Sequence, residues 1–487
     1  MTTRRTRIGI FAGVCCLTIS TVVPAGSAAA GPSAAPAAER PLYVTNSDSA
    51  TISTFTVDVT TGRPALTDEL VKAGEGVRQM VFTPDARMAY ATNTGEDTIS
   101  VYTVGPRGRL TRLPGRAGTV ETGGDTPFGT VVTPRGHTLY VAHVFGNSVA
   151  AFTITSDGSL SPLGITTTTV ANPRGLAVTP DGRFLYVGHG LPGEDRPTSV
   201  GAITAFAIND DGSLTSVGSP IRVGRFCGAT AITPDGRRLY LVCQDTDEIY
   251  GFAIGSDGEL TPLARSPYAV SDFPEGITTS PDGRFVYTAS VGLGSIPEGP
   301  GAVSGFAIDS EGALKPVPGS PFAAGLFPVG ITTAPNGRFV YGSGGDASGE
   351  LTAFGVGAAG TLRPLLGSPF PTGGVGPAFN SASVLPNQGP VADFATRPDG
   401  RTVAFDASAS TDADGLVARY DWDFGDGTRQ TTAGPRTTHV YPRAGTFQAT
   451  LIVTDNEGCS TKLVSTGQAV LCNGTKAAAT TRDIVIR

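Results

Sequence analysis

Charge is scarce in this 487-residue chain: Lys, Arg, Asp and Glu make up 16% of it, beside four histidines, three methionines and one tryptophan. So little charge combined with 39% hydrophobic residues excludes a disordered polyelectrolyte. The basic residues are scattered, and without a basic patch there is no electrostatic footprint for nucleic acid or for an anionic membrane surface. Long helical stripes are missing as well, which removes bundles and α/β layers from consideration. There is no G-x-S-x-G elbow and no H-E-x-x-H pair, so neither a serine-elbow hydrolase nor a zincin is written here. The cysteines lack C-x-x-C spacing and neighbouring histidines, which argues against a zinc site.

What is present in quantity is Gly (66) and Pro (37), without a collagen period. That composition suits many short strands joined by tight turns. The length exceeds one ordinary core, so several domains, or a repeat array with an appendage, are expected. Residues 1–30 read as an export signal: Arg4, Arg5 and Arg7, then "IGIFAGVCCLTISTVV", then "GSAAAG" with cleavage expected after about Ala30. Arg7 spoils a twin-arginine signal and Val14 before Cys15 spoils a lipoprotein box, which leaves general secretion. Removing that segment takes away three arginines and no acid, so the formal charge goes from −7 to −10. An Ala/Pro-rich linker is expected over 31–40, and no membrane span remains after signal removal.

One line recurs: "GRFLYVGH", "GRRLYLVC", "GRFVYTAS", "GRFVYGSG". Its tyrosines, Tyr43, Tyr90, Tyr140, Tyr186, Tyr240, Tyr287 and Tyr341, are 47, 50, 46, 54, 47 and 54 residues apart, a period that suits four-stranded propeller blades. Within each copy run an apolar inner strand, a "PDG" turn, the tyrosine strand, a third strand, a "DGSL" turn and a fourth strand. Asp-Gly between apolar runs is a hairpin signal. The first copy lacks its inner strand, and "AFNSASVLPNQG" after the seventh supplies it. The fold predicted is therefore all-β: a seven-bladed propeller over 41–388 closed by its own C-terminal strand, so that no sheet edge is left open. Residues 389–487 form a second domain.

On these motifs residues 41–388 resemble the seven-bladed YVTN and lactonase-like propellers, whose name echoes "YVTN" at Tyr43 to Asn46. The resemblance implies the fold, while the activities it admits include lactone hydrolases, cycloisomerases and proteins of no assigned activity. "DWDFGDG" with "HVYPRAGTF" resembles a PKD domain, an immunoglobulin-like sandwich, with Trp422 expected in its core. Such domains imply a spacer or a contact module for polysaccharide or protein.

Four cysteines follow the signal, an even number that suits two disulfides in an exported protein. Folding the "PDG" hairpin brings Cys227 and Cys243 together, each eight residues from Asp235. Cys459 and Cys472 bracket "STKLVSTGQAVL", which looks like extra length at the end of the sandwich. Asp406, Asp412 and Asp414 in "DASASTDADG" either gather around calcium, the one cofactor the sequence admits, or make Asx-turns and cap strand ends. Asn473-Gly474-Thr475 fits a glycosylation sequon.

Two rows of residues are expected to ring one channel mouth, opposite the "PDG" turns. Three after the tyrosines come Asn46, Asn93, His143, His189, Cys243, Ser290 and Gly344; one after the inner-strand starts come Arg78, Phe128, Arg174, Glu275 and Val329. The same face carries lengthened loops, "GLPGEDRPTS" with Glu194, Asp195 and Arg196, and "VGLGSIPEGPG". A rigid scaffold usually keeps its function on such loops. His143, His189, Arg174 and Glu275 are the candidate catalytic groups, and Asn46, Arg78, Asn93, Ser290 and the loop residues are candidate ligand contacts. The alternative is that polar residues at strand ends merely satisfy loop backbone.

Lactone hydrolysis would use Arg174 for an oxyanion or carboxylate and His143 or His189 for the proton, without a metal. The lactonases it resembles tend to carry histidine-rich H-P-H and R-H pairs at inner-strand starts. Here stand Thr126-Pro127-Phe128 and Arg174-Gly175. A secreted, monomeric recognition platform for extracellular polysaccharide, protein or a small anionic ligand therefore ranks first, the hydrolase second and a structural envelope protein third.

Overall fold

The computed structural model describes residues 39–168, 170–190, 200–292, 301–344 and 347–487. The expected signal segment, the linker as far as 38, most of both lengthened loops, and Glu194, Asp195 and Arg196 lie outside the described residues.

Seven antiparallel sheets follow one another, each built inner strand, tyrosine strand, third strand, fourth strand. Pro377–Val384 is the inner strand of the first sheet and pairs with Glu39–Asn46, Tyr43 facing Ser383 and Leu42 facing Val384. The ring is thus closed by two distant pieces of chain in one sheet. The first strand starts at Glu39, two residues ahead of the expected propeller start at Pro41, and the reason is packing: Arg40 is 3% exposed and bound to the second domain.

The tyrosines explain why the repeat is repeated. Each is at most 1% exposed, and each hydroxyl donates to a glycine carbonyl in the following blade. The pairs are Tyr43 to Gly108, Tyr90 to Gly158, Tyr140 to Gly212, Tyr186 to Gly258, Tyr240 to Gly312, Tyr287 to Gly360 and, across the closure, Tyr341 to Gly62, at 2.5 to 3.0 Å. These glycines sit in the turn between third and fourth strands at φ of +72° to +87°, where a side chain would be strained. At Gly258 an added Cβ would also lie 2.3 Å from the Phe184 ring, two residues before the next tyrosine down the ring. The recurring turn glycine is therefore required twice, by its conformation and by the ring it touches.

Residues after the propeller form a sandwich. One sheet pairs Ala395–Asp399, Thr402–Asp406 and Arg436–Val440; the other pairs Arg429–Thr432, Val417–Asp423, Gly445–Asp455 and Ala479–Ile486. Trp422 is 2% exposed, its ring centroid 5.4 Å from Phe394 and 5.5 Å from Phe405. The junction with the propeller is ionic and buried. Arg40 Nε donates to Glu457 at 2.8 Å, Nη1 to Asp414 at 2.5 Å and Nη2 to Asn387 at 2.7 Å. Burial alone would lower the Arg40 pKa, but Glu457 and Asp414 outweigh it and hold the charge in place. Cys227 bonds to Cys243 and Cys459 to Cys472.

This packing occupies two of the three acids weighed between calcium and Asx-turns. Asp406 is taken up by Ser408 N and the Arg436 guanidinium, and Asp414 by Arg40 and the Gln388 amide, so the three acids do not gather. Asp412 alone keeps both oxygens unpartnered, its carboxyl pushed up first by burial and then by Asp414 and Asp455. Among the described residues no group of three or more His, Cys, Asp or Glu is placed to hold a metal.

Tyr287→Phe leaves the Gly360 carbonyl buried without its donor. We expect a cost of about 1–2 kcal/mol, read by calorimetry as a melting temperature a few degrees lower. An unchanged melting temperature would show that the hydroxyl ring does not tie the blades.

Candidate functional site

Each inner strand carries a β-bulge at its loop-face end. Pro173 faces His189 and Gly175 faces Gly188, so Arg174 is an extra residue with no partner across the ladder. Pro274 and Gly276 frame Glu275 in the same way, and Val77 to Met80 frames Arg78. A bulge breaks strand alternation and re-aims the side chain it carries. Here it turns the second residue of the inner strands into the channel. Only small residues allow the strands to approach so closely around that point: a Cβ on Gly175 would lie 2.2 Å from the Gly228 carbonyl oxygen.

The two rows expected at the mouth therefore separate. The bulge row converges. The Arg78 and Arg174 guanidinium carbons lie 4.6 and 4.7 Å from the Phe128 ring centroid, and Arg174 also lies 4.2 Å from Phe226 and 5.7 Å from Phe379. Phe128 and Phe379 are 4.8 Å apart. Three aromatic faces thus hold two cations in place without neutralising them.

Glu275 is the acid that both arginines feel. Burial raises its pKa most, while Arg174, Arg78 and the nearby side-chain amide of Gln244 pull the other way. Burial depresses Arg174 to about 10, with Glu275 opposing and Arg78 adding to the fall, so it is still a cation at neutral pH. Arg78 is lowered by burial too, against Glu275 and Asp48. Two guanidinium groups thus share one carboxylate at the mouth, with Asp48 also acting on Arg78 and Asp245 on Arg174. The Nε atoms of both arginines, Glu275 Oε2 and Asn380 Oδ1 are buried without a hydrogen-bond partner. Buried polar groups are rarely left so, and a cluster of them around a channel is a site waiting for polar atoms.

The row three after the tyrosines does not join this cluster, which corrects the expected His143–His189–Arg174 grouping. Those side chains turn into their own blades. His143 Nδ1 pairs with Ser148 Oγ at 3.2 Å, His189 Nε2 with Thr204 Oγ1 at 2.9 Å, and both rings are 0% exposed. Asn46 donates to Thr51 and Ser53, Asn93 to Thr98 and Ser100, and Cys243 is in its disulfide. Ser290 is 0% exposed. The physical reason is a lid of glycine. A Cβ on Gly74, Gly124, Gly224 or Gly374 would strike Asn93, His143, Cys243 or Asn46 respectively, so the loop entering each of these blades' inner strand lies directly on that side chain. Burial pushes His143 and His189 down to about 4. Neither is placed to relay protons at the mouth.

Phe226, Gln244, Phe379 and Asn380 complete the site and were not anticipated. Phe379 and Asn380 belong to "AFNSASV", already legible as an inner strand, but its bulge is longer than the others, Pro377 facing Asn46 and Ala382 facing Val44, so carrying the bulge position into it gives Ala378 and misses them. Gln244 follows Cys243 and had no pattern to reveal it.

Residues 79–273 match the family model for the lactonase, seven-bladed β-propeller, and residues 387–470 match that of the PKD domain. Among solved structures, the chain is similar to a candidate 6-phosphogluconolactonase from Bacteroides uniformis ATCC 8492, with a TM-score of 0.59 and 18% identity over 71% of this chain and 99% of that one. It is equally similar to the periplasmic gluconolactonase PpgL of Pseudomonas aeruginosa, with a TM-score of 0.58 and 19% identity over 71% and 99%. Such identities carry the fold alone. A 74-residue stretch is 42% identical to the pre-pro-metalloprotease PrtV of Vibrio cholerae, covering 15% of this chain and 8% of the protease. A 56-residue stretch is 43% identical to collagenase ColA of Clostridium perfringens, covering 12% and 5%. The chain thus spans less than a tenth of the curated relatives it matches.

The buried histidines generate a test. The unfolded chain protonates them near their ordinary 6.5 and the folded one only near 4, so their contribution to stability is complete above pH 6.5 and is lost as pH falls towards 4. Asparagine fills the same place in the first two blades. We expect the double variant His143→Asn, His189→Asn to fold and to flatten the fall in melting temperature between pH 6.5 and 4. An equally steep fall would mean the imidazoles are not held neutral.

Proposed function

We propose, for a chain whose propeller is of the lactonase family and whose tail is a PKD domain, that the bulge-lined mouth opens small lactones. The reading rests on one observation: Arg78, Arg174 and Glu275 converge on the channel with hydrogen-bonding atoms unpartnered. Glu275 as carboxylate takes a proton from water, and the oxygen attacks the lactone carbonyl carbon. Arg174 holds the tetrahedral oxyanion, and the acyl C–O bond breaks. The protonated Glu275 then returns its proton to the departing ring oxygen. The product is a hydroxy acid, whose new carboxyl group ionises to solvent and whose carboxylate pairs with Arg78. Histidine has no part in this scheme, in contrast to the expectation from the sequence.

A second reading, recognition of a small anionic ligand without turnover, is favoured by the same pair of buried guanidinium groups and by the withdrawal of both histidines. Export fits either reading. Two disulfides form and persist in oxidising compartments, and among the described residues no helix is long and apolar enough to cross a membrane.

A panel of sugar-acid lactones, assayed beside gluconate binding by calorimetry, tests the proposal. Arg174→Ala is expected to lower kcat/KM by about 10²- to 10³-fold, and Glu275→Gln to abolish turnover while retaining gluconate binding. Because the base must be ionised, the rate should fall as pH drops through a Glu275 pKa lying above its ordinary 4.5. Gluconate binding that requires Arg174 but comes with no turnover would establish the recognition reading. Turnover indifferent to both residues would refute the site.

A further inference from the structure

"STKLVSTGQAVL" is not spare length at the end of the sandwich. Braced at its base by Cys459–Cys472, it forms a hairpin of Val464–Ser465 against Val470–Asn473 whose tip enters the propeller from the "PDG" end. The Val178 amide donates to the Gly467 carbonyl at 2.9 Å and the Ile232 amide to the Thr466 carbonyl at 2.8 Å. Gln468 Nε2 donates to the Thr230 carbonyl and, at 3.4 Å, to the Ile277 carbonyl. Ser465 and Thr466 are each 3% exposed. Gly467 has φ +85°, and a Cβ there would be 3.0 Å from Ile232 Cβ and 3.1 Å from Ala177 Cβ, so the tip is fitted to the inner strands without slack.

The strands it grips are those that carry the site. Val178 ends Pro173–Val178, which presents Arg174; Ile277 lies in Pro274–Thr279, two residues from Glu275; Thr230 and Ile232 lie in Cys227–Ile232 between them. At about 3.3 Å per residue, Gln468 binds the Glu275 strand roughly 7 Å below the carboxylate. Inner-strand amides would otherwise face an open channel, and the tip supplies their acceptors as an added strand edge would.

We infer that the tail domain's hairpin tip, Ser465 to Ala469, is the floor of the propeller site, turning a through-channel into a blind cup, and that Gln468 is a positioning residue for Glu275. The inference about Gln468 rests on the mouth being the working site; the floor itself does not. The groups that face Glu275 are Arg174 on Pro173–Val178, Arg78 on Val77–Phe82 and Gln244 from the adjoining loop, with Asp245 and Asp48 acting on those arginines. A floor that excludes water keeps the carboxyl desolvated among them, and an opened floor admits water and favours its charged form.

Two measurements on the full chain test this without any substrate. Hydrogen exchange by mass spectrometry should find the Val178 and Ile232 amides as protected as the tyrosine strands. In Gln468→Ala their exchange should be faster, while the blades far from the tip are unchanged. Infrared titration of the Glu275 carboxyl, taken as the difference between the chain and its Glu275→Gln variant, should give a midpoint that Gln468→Ala lowers by about one unit towards the ordinary value. Val178 and Ile232 exchanging in the native chain as fast as exposed loops would overturn the floor. An unmoved Glu275 midpoint in Gln468→Ala, with exchange raised, would overturn the positioning role. Protected amides and a shifted midpoint in a protein inert to every lactone would sustain this inference and remove the hydrolytic one.

Discussion

Everything in the propeller hangs on one hydrogen bond made seven times, a tyrosine hydroxyl given to the turn glycine of the next blade. It is a contact between neighbours in a ring, so no blade can satisfy it alone. The last, Tyr341 to Gly62, exists only because Pro377–Val384 returns to join the first strand of the chain. Geometry of this kind accounts for the sequence's economy: tyrosine and positive-φ glycine must recur, and the remaining positions, the residue two before the tyrosine among them, vary from blade to blade.

The candidate site occupies a released position. The bulge at the head of each inner strand is part of the scaffold, but what it aims into the channel differs from blade to blade: Arg78, Phe128, Arg174, Glu275, Val329. The repeat thus provides identical mounts at equal spacing, and asymmetry of the mounted side chains creates a charged, aromatic-walled cup. Burial determines its electrostatics. It raises the carboxylate and lowers the guanidinium groups, yet leaves Arg174 charged at about 10. That combination favours an anion and a base in one place.

The tyrosine spacing, the closing strand, the Cys227–Cys243 hairpin and the sandwich with Trp422 at its centre were all legible in the sequence, because each follows from period, turn chemistry or residue type. Arg174 and Glu275 were legible as groups at the channel mouth but not as separate from the strand-end histidines, since a bulge cannot be read from alternation. His143 and His189 were misread for a related reason. Residues at strand ends have no fixed face, and the glycines that cover them lie 19 positions away in the preceding loop for Asn93, His143 and Cys243. The hairpin tip was unreadable in principle. Nothing local marks "STGQA" as a segment that docks on strands 191 or more residues earlier, although the cysteines flanking it did indicate that the segment is braced.

That the bulge row, and not the strand-end row, forms the working mouth is the central claim, and a ligand-bound crystal structure tests it most directly. With gluconate soaked into the full chain, the account predicts a carboxylate held by the Arg174 and Arg78 guanidinium groups, with hydroxyl oxygens on Glu275 and Gln244 and with His143 and His189 still buried against Ser148 and Thr204. Gluconate seated on an exposed His143 or His189, or bound only at the "PDG" face while the arginine cluster stayed empty, would contradict it.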